Sequence, residues 1–453
     1  MASIWDSLPT RTAENVSPLA REHRERAALF AMYWNYYRGK HKKHLKVKPG
    51  QADDNVILNY SKRVVNKGVT FLYGKPVEFE IDNSDGRTAE EEYLDLVWGG
   101  NERKMALLQN IALNGGVCGT AFVRIYPEQP GVRDSLPRLV NLDPSTVDVI
   151  SNEDDIEDVR AYHQVWRSGE DWKRHRIDMQ DNGDWFITEE ETRSGGSVWQ
   201  VTDESAWAYP FPPILTIQNL PSPNEVWGIS DLEEADLNDA INFTASNISR
   251  ILRFHSHPKT IGTGFGAKTL ESTAVEEFWT IPNEAAKVFN LEMDSDLQSA
   301  YAYLQELRNA YAKITSVPEL DPNQVNVGAM SGFALRILYG DLLEATMVKR
   351  NTYGGMMAEA NRRLLVLAGR GDFSVANVWA DPLPANIVEQ AQALTADRAA
   401  GLSLETYLER RGYDAEREQQ RIEEEATQQA QQQDSVGGFL LRAFDRGAVD
   451  ANR

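Results

Sequence analysis

The sequence predicts a protein of the α+β class, in which helices and strands occupy separate stretches of the chain. Long stretches carry apolar residues at helical spacing, the clearest being Ser230 to His257, which contains no proline or glycine. Residues 138–217 instead carry short alternating runs separated by turn signals, among them Asp-Pro at 143–144 and Asp-Asn-Gly at 181–183. Strands grouped in this way favour the α+β class over a series of βαβ units.

The composition is that of a globular protein with enough apolar residues for a large core. The chain has 453 residues, of which 42% are hydrophobic and 25% are charged, and this length exceeds one ordinary domain. The formal net charge of −21 argues against a protein that wraps nucleic acid by neutralising its phosphates. The charge does not exclude a protein past which DNA slides without being trapped. On charge alone, a soluble acidic protein is favoured.

The cysteine content and the first residues of the chain bear on disulfides, zinc sites and cellular location. Cys118 is the one cysteine, so an internal disulfide and a cysteine-rich zinc site are both excluded, and we interpret it as a small buried residue. The stretch from Met1 to Asp6 is polar and predicts no signal peptide. No run approaches the roughly 20 apolar residues of a membrane span. The chain is therefore expected in the cytoplasm when it is made.

The first half alternates predicted helices with predicted strands. Between the first two helices lies the only strongly basic run, Arg38 to Lys48, which either contacts nucleic acid or is a solvated loop. Gly115 and Gly116 are expected to end the fourth helix. The predicted helices are 18–37, 55–73, 87–98 and 101–114. The predicted strands are 76–81, 120–126, 138–142, 147–150, 158–166, 174–179, 184–188, 197–202 and 214–219.

The centre of the prediction is a stalk, in which two long helices within residues 228–332 carry a small β module at their far end. Ser230 is a good N-cap and Glu233 completes a capping box, so the first helix is expected to begin there and to stop before Pro258. Acidic residues crowd its first turns and suit the helix dipole, namely Asp231, Glu233, Glu234, Asp236 and Asp239. The second helix is expected from about 294 to 316. An isolated stalk cannot bury its own sides, so it needs neighbours.

A polar loop and a very long helix follow the stalk. Residues 316–332 contain two prolines, two asparagines and two glycines, which forbid regular structure, and such a long loop is usually functional. Residues 331–370 predict a helix of about 60 Å, with Gly340 and the pair Gly354-Gly355 as kink points. The remaining chain is expected to form helices at 385–399, 403–411 and 416–433, followed by a disordered tail.

The sequence contains no pattern for catalysis. It lacks the phosphate-binding loop of NTPases, the nucleophile elbow of hydrolases and the zinc motif H-E-x-x-H, so no enzyme activity, cofactor or metal site is expected. His255 and His257 have a spacing that places both on one face of a strand, but no third ligand is near, so we interpret them as hinge or surface residues. Two alternatives to a structural role remain: an acidic metal-dependent nucleic-acid enzyme, and an oligomeric scaffold without DNA contact.

Short motifs also follow one another in a particular order along the chain. They are Tyr36-Tyr-Arg-Gly39, Asn55 to Asn66, Phe71-Leu-Tyr-Gly-Lys-Pro76, Gly228-Ile-Ser-Asp-Leu-Glu233, Leu237-Asn-Asp-Ala-Ile-Asn242, Ser331-Gly-Phe-Ala-Leu335 and Asp381-Pro-Leu-Pro384. Each motif is weak alone. With their order and spacing, however, the chain resembles a portal protein of a tailed bacteriophage, the head-to-tail connector, from about residue 20 to 430.

The resemblance implies a portal fold whose regions follow one another along the chain. These regions are a flexible arm (1–17), a wing (18–228), a first stem helix (229–256), a small β clip (257–292), a second stem helix (293–316), a tunnel loop (317–331), a long kinked helix with a return to the wing (332–384), a helical crown (385–432) and a disordered tail (433–453). Strands of the clip are expected near Thr260, at 277–281 and at 287–291.

The resemblance further implies a homo-oligomeric ring, usually a dodecamer, at a single vertex of the virion capsid. Double-stranded DNA would be packaged and ejected through its channel, driven by a separate ATPase. The expected partners are the terminase large subunit, a head-completion or adaptor protein, and the major capsid and scaffolding proteins. No membrane is involved, and the expected location is the virion, with the host cytoplasm during assembly.

Three groups of residues have expected roles in that ring. The tunnel loop would present uncharged side chains to DNA, namely Asn323, Gln324, Val325, Asn326, Val327 and Met330. Either phosphate contacts or salt bridges to a neighbouring subunit are expected of Lys259, Lys268, Arg308 and Lys313. One face of the first stem helix would pack against the next subunit through Leu232, Ile241 and Ile248.

Overall fold

The computed structural model describes most of the chain between residues 18 and 383. The described residues are 18–47, 49–50, 53–81, 88–128, 135–193, 198–256, 259–263, 287–291, 297–319, 332–383, 395–396, 401, 403 and 406. The predicted arm and tail lie outside these residues, and so does almost all of the predicted crown. Contacts divide the chain into two units, Met1–Gly328 with Arg336–Leu383, and Ala329–Leu335 with Pro384–Arg453. Almost all of the described residues lie in the first unit.

Helices and strands occur in blocks along the chain, which confirms the predicted mixture of helix and sheet. The helices are α1 (Pro18–Tyr37), α2 (Tyr60–Tyr73), α3 (Ala89–Trp98), α4 (Gly100–Cys118), α5 (Ala235–Ser256), α6 (Leu297–Ile314), α7 (Gly332–Leu338) and α8 (Gly340–Leu367). The strands are β1 (Val77–Glu80), β2 (Thr120–Tyr126), β3 (Arg138–Leu142), β4 (Val147–Ser151), β5 (Val159–Ser168), β6 (Asp171–Met179), β7 (Trp185–Arg193), β8 (Gln200–Trp207), β9 (Ile214–Gln218), β10 (Lys259–Thr263), β11 (Lys287–Leu291) and β12 (Ala376–Trp379).

All the pairings among these strands are antiparallel. Strands β4 to β8 form a five-stranded meander, and β2 lies between β3 and β9 in a three-stranded sheet. The predicted strands of residues 138–217 are all present, with ends that differ by a few residues. Strand β12, which pairs with β1, was not predicted because four residues give too short an alternation to recognise.

The main core lies where α4 and α8 pack against the three-stranded sheet. Trp98, Leu108, Ile111 and Tyr353 are almost fully buried there, and the indole Nε1 of Trp98 donates to Asn361 Oδ1 at 2.8 Å. Full burial of a large apolar side chain contributes about 1.5–3 kcal/mol. The core therefore fixes α8, the long helix, to the sheet and to the helices that precede it.

Helix α2 begins at Tyr60, not at Asn55 as predicted. Asn59 caps it, because its Oδ1 accepts from the backbone N of Lys62 at 2.9 Å. Residues 53–59, which include the cap, are not helical, and backbone groups of Val56 and Leu58 bond to α5. We call residues 53–59 the strap.

Helix α4 continues through Gly115 and Gly116 to Cys118, so these glycines do not end it. A Cβ added at Gly115 would lie 1.9 Å from the hydroxyl oxygen of Tyr353, and one added at Gly116 would lie 3.0 Å from Asp231 Oδ2. The two glycines are therefore sites of close approach between α4 and its neighbours. Turn propensity alone gave the wrong prediction here because it ignores such contacts.

Helix α5 begins at Ala235 and not at Ser230, so the predicted capping box is wrong. Ser230 Oγ accepts from the backbone N of Leu232 at 3.0 Å and donates to the carbonyl oxygen of Val117 at 2.7 Å. Residues 231–234 form turns. The serine thus links the start of the stalk to the end of α4 rather than capping a helix.

The predicted long helix is divided in two at Tyr339, beside the kink point expected at Gly340. The pair Gly354-Gly355 does not interrupt α8. The carbonyl oxygen of Gly354 accepts from Asn377 Nδ2 at 2.8 Å, next to β12. A glycine within α8 therefore serves a contact rather than a kink.

Candidate functional site

The stalk consists of α5, β10, β11 and α6. Helices α5 and α6 contact each other, and β10 pairs with β11 from Lys259 opposite Leu291 to Thr263 opposite Lys287. Two long helices with a small β element between them agree with the predicted stalk. The strand expected at 277–281 lies outside the described residues.

One face of α5 holds the strap through polar side chains. Asn238 Nδ2 donates to the carbonyl oxygen of Leu58 at 2.8 Å, and the backbone N of Leu58 donates to Asn242 Oδ1 at 2.9 Å. The backbone N of Val56 donates to Ser246 Oγ at 2.9 Å. The three α5 side chains recur every four residues, so they share one face of the helix. Sequence reasoning missed this polar row, although its spacing was visible.

Basic residues late in α5 hold the start of the strap. The guanidinium groups of Arg250 and Arg253 lie 3.4 and 2.7 Å from Asp54 Oδ2. Asp54 is buried, so its charge needs such partners. Each of these two arginines therefore has a specific carboxylate partner.

The predicted subunit-packing face of the stalk is covered by its own chain. Leu232, Ile241 and Ile248 are 1%, 0% and 5% exposed. Leu232 packs in a cluster with residues of α1 and α4, and Ile241 packs in another with residues of α2 and α6. The prediction that these residues face a neighbouring subunit is therefore corrected. Apolar spacing marks a buried face, but it does not say which element covers it.

The outer side of the stalk is open in the single chain. Helix α6 has 18 residues, and Tyr311 is the only one of them that is buried. Large apolar side chains are exposed on α5 and α6, namely Phe243, Leu252, Tyr301, Tyr303 and Ile314. The α6 side chains among them, unlike the predicted residues, lie at the surface of the single chain.

The four residues predicted to contact phosphate lie in different surroundings. The guanidinium of Arg308 pairs with the carboxylate of Glu319, with Nε 3.1 Å from Oε2, and this pairing raises the pKa of Arg308. Lys313 is exposed on α6. Lys259 lies on β10, and Lys268 lies outside the described residues. Arg308 would have to leave an ion pair in order to bind a phosphate.

The predicted tunnel loop lies almost wholly outside the described residues. This applies to all of its proposed DNA-facing residues, Asn323, Gln324, Val325, Asn326, Val327 and Met330. Its first residues are described, and Val317 is buried directly after α6. The loop therefore leaves the stalk from a fixed position.

A buried ion pair lies at the base of the stalk. Lys349 Nζ on α8 is 2.7 and 2.6 Å from the two carboxylate oxygens of Asp231, and both side chains are 8% exposed. Asn219 Nδ2 also donates to Asp231 Oδ1, at 2.9 Å. The hydroxyl of Tyr353 donates to Asn219 Oδ1 at 3.1 Å. Burial raises the pKa of Tyr353 well above its usual value, so the hydroxyl remains a neutral donor.

Glycines surround the ion pair and allow the chain to close on it. A Cβ at Gly68 would lie 3.2 Å from Asp231 Oδ2 and 3.1 Å from Lys349 Nζ. A Cβ at Gly119 would lie 2.2 Å from the carbonyl oxygen of Gly228. The sequence suggested a dipole role for Asp231. Its partner, 118 positions away, gives it instead the role of joining the stalk base to α8.

A pocket of about 250 Å³ opens beside the ion pair. Its walls come from α2, the turns before α5, the end of α6 and α8, and include Val64, Gly68, Ile229, Asp231, Glu233, Glu234, Ile314, Val317, Leu342 and Lys349. Among the residues that the structure describes, no group of three or more histidine, cysteine, aspartate or glutamate side chains could hold a metal ion. The contacts of the ion pair join the turns before α5 to α8.

Comparison with known proteins decides the family. Residues 17–432 match the family described as phage portal protein, SPP1 Gp6-like. The chain belongs to this family. The match confirms the resemblance drawn from the order of the motifs, and portal proteins of this family are structural rather than enzymatic. Within the described part of this portal protein, no helix has the length and apolar character needed to cross a membrane.

The portal protein is also similar to chains in solved gene transfer agent (GTA) particles. A chain in the virion of the native particle is 14% identical, with 85% of this chain and 93% of that chain covered and a TM-score of 0.47. A chain in the neck of the native particle, computed with C12 symmetry, is 15% identical, with 78% and 89% covered and a TM-score of 0.43. A chain in the neck of the empty particle, computed with C6 symmetry, is 16% identical, with 82% and 96% covered and a TM-score of 0.48. No curated protein matches the sequence.

Proposed function

We propose that this portal protein forms a closed ring, usually of twelve copies, at a single capsid vertex, and that double-stranded DNA is packaged and ejected through its channel. The proposal starts from membership of the portal family. The observation that carries it is the open side of the stalk, where α6 buries only Tyr311.

Exposed apolar residues on the stalk support assembly. Tyr303 and Ile314 share one face of α6 and are 58% and 56% exposed, and Tyr301 is 50% exposed on the opposite face. Apolar surface left in water gains free energy when another surface covers it. Copies arranged by a rotation that closes would cover the same side of every stalk. The ring thus explains why a long helix leaves its side uncovered in the single chain.

The charge of the chain supports passage of DNA rather than tight binding. With a net charge of −21, the chain as a whole repels phosphates. The uncharged segment Asn323 to Val327 would contact the duplex without trapping it. Because the sequence has no phosphate-binding loop, movement of DNA would need a separate ATPase.

The proposed ring has partners on its different surfaces. The segment 257–292 would meet the terminase large subunit during packaging and a head-completion or adaptor protein afterwards. The remainder of the ring would contact the major capsid and scaffolding proteins. These assignments follow from the family and from the place of β10 and β11 between the two stalk helices along the chain.

Electron microscopy and mass measurement of the purified protein test the proposal. The expected result is a ring with a central hole wide enough for a DNA duplex, and a mass that is a multiple of 51.0 kDa. A chain that stays monomeric at every concentration tested, or that forms filaments, would contradict it. Particles assembled with the chain removed are expected to contain no packaged DNA.

A further inference from the structure

One face of α2 carries positive charge and no negative charge. A shallow groove runs along it, lined by Asn59, Lys62, Arg63, Asn66, Lys67 and Thr70. We call these six residues the α2 basic face. None of the six residues is acidic, although the chain as a whole has a net charge of −21.

Two lysines provide the available charge of the α2 basic face. Lys62 Nζ lies 5.8 Å from the ring centroid of Tyr37, and Lys67 Nζ lies 5.9 Å from that of Phe71. Rings at this distance attract an ammonium group and restrict its position. Arg63 differs, because its guanidinium lies 3.8 Å from the carboxylate of Glu319.

An exposed segment of opposite sign precedes and begins α5. Glu233, Glu234 and Asp236 are all exposed. We call residues 233–236 the acidic entry segment. It has the charge that the α2 basic face would attract, and it belongs to the same chain.

The two surfaces lie on opposite sides of α2. A Cβ at Gly68 would lie 3.2 Å from Asp231, and Gly68 shares a pocket with Glu233 and Glu234. Gly68 is two residues from both Asn66 and Thr70, which corresponds to about half a turn of helix. The α2 basic face therefore points away from the side on which its own acidic entry segment lies.

We propose that the α2 basic face of one copy binds the acidic entry segment of the next copy, a contact that rests on the proposed ring. A ring is built from heterologous contacts, in which two different surfaces of each copy meet. Opposite charges on opposite sides of α2 meet that requirement. Such charge pairs mainly set the register and suppress wrong pairings.

Phosphate groups of DNA are the other class of ligand with the required charge. The second copy is favoured because the complementary segment is present in the same chain, on the opposite side of α2. A DNA contact would also have to overcome the net charge of the whole chain.

Charge reversal in two paired variants tests the contact. The basic-face variant is Lys62→Glu/Lys67→Glu, and the entry variant is Glu233→Lys/Glu234→Lys. Each alone should repel its own copies and reduce the fraction of ring at least tenfold in mass photometry at low salt. Each should keep the circular dichroism spectrum of the wild type.

Combining the two sets of charge reversals should restore ring assembly. An equal mixture of the two variants should form rings in which the variants alternate, because each then meets a partner of opposite charge. The variant with all four changes has the wild-type net charge and should assemble by itself. Glu153→Lys/Glu157→Lys, on the exposed loop before β5, changes the net charge as the entry variant does and should assemble normally.

Several results would overturn the contact and leave the ring itself standing. They are normal rings from either double variant, failure of both recombined forms to assemble, and normal rings of the basic-face variant combined with lost DNA binding. The last result would assign the α2 basic face to DNA. A wild-type chain that forms no ring would instead reject the proposed function.

Discussion

At the scale of single residues, the Asp231–Lys349 ion pair is a contact that carries a large cost of desolvation. Two charges that leave water lose hydration free energy, and only close partners offset that loss. Asn219 supplies an additional donor to the carboxylate. The pair therefore tolerates the loss of both charges better than the loss of one.

Replacement of Lys349 by methionine should destabilise the chain by about 3–5 kcal/mol, because Asp231 would remain buried without a cation. Asp231→Asn/Lys349→Met should be much closer to the wild type. Denaturant unfolding measures both free energies. Lys313→Met, at an exposed position of α6, is the matched control and should change the free energy of unfolding by less than about 0.5 kcal/mol. Equal effects of the two lysine changes would contradict the assignment.

His175 should make the five-stranded sheet less stable in acid. Burial, together with the positive charges of Arg124 and Lys173, lowers the pKa of His175 to about 4. An unfolded histidine titrates near 6.5. Between these values the unfolded chain binds more protons, so the stability present above pH 6.5 is lost as the pH falls toward 4.

The variant His175→Gln isolates this effect from other titrating groups. Between pH 7 and pH 4.5 it should lose less stability than the wild type, by about 1–2 kcal/mol after allowance for partial solvent contact. Thermal or urea unfolding across this pH range measures the difference. Parallel curves for the two proteins would show that His175 does not contribute.

At the scale of elements, the stalk has a buried side and an open side, and they should respond differently to truncation. Ile241→Ala should cost about 2–5 kcal/mol of folding stability, because it leaves a cavity beside α2 and α6. Tyr303→Ala, at a position 58% exposed, should leave folding stability almost unchanged and reduce ring assembly. Urea unfolding and mass photometry separate the two effects. A Tyr303 variant that assembles fully would locate the subunit contact elsewhere.

The ends of elements were predictable where local signals decide them. Helix α1 ends at Tyr37 and β2 runs from Thr120 to Tyr126, as predicted, because a basic glycine-containing run follows the first, and Gly119 precedes and Pro127 follows the second. Helix α2 begins late because Leu58 bonds to Asn242, which is 184 positions away. A pattern within a short window cannot contain such a partner.

The candidate site was predictable in outline but not in its contacts. The two stalk helices followed from periodicity and from proline positions, and the strand at 287–291 followed from the family resemblance. The roles of Asp231 and Ile241 did not, because each depends on a partner from a distant part of the chain, and the partner of Arg308, Glu319, lies beyond the end of α6. Charge and apolarity predict that a residue needs a partner, but the fold selects that partner.

At the scale of the whole molecule, the proposed tunnel loop is expected to act in DNA transport and not in ring assembly. Deletion of Asn323 to Val327 should leave ring mass unchanged and impair packaging or retention of DNA, because the loop would no longer reach the duplex. DNA content of assembled particles measures the result. A Gly-Ser replacement of equal length tests whether chemistry or reach matters. Normal packaging by the deletion variant would refute the proposed role.

The strap has a consequence for hydrogen exchange. The backbone amides of Val56 and Leu58 belong to no helix or strand, yet they donate to Ser246 and Asn242 on α5. Amides exchange with solvent only when such bonds open. These two amides should therefore exchange as slowly as α5 itself, so an exchange map would place the strap with the stalk and not with the loops.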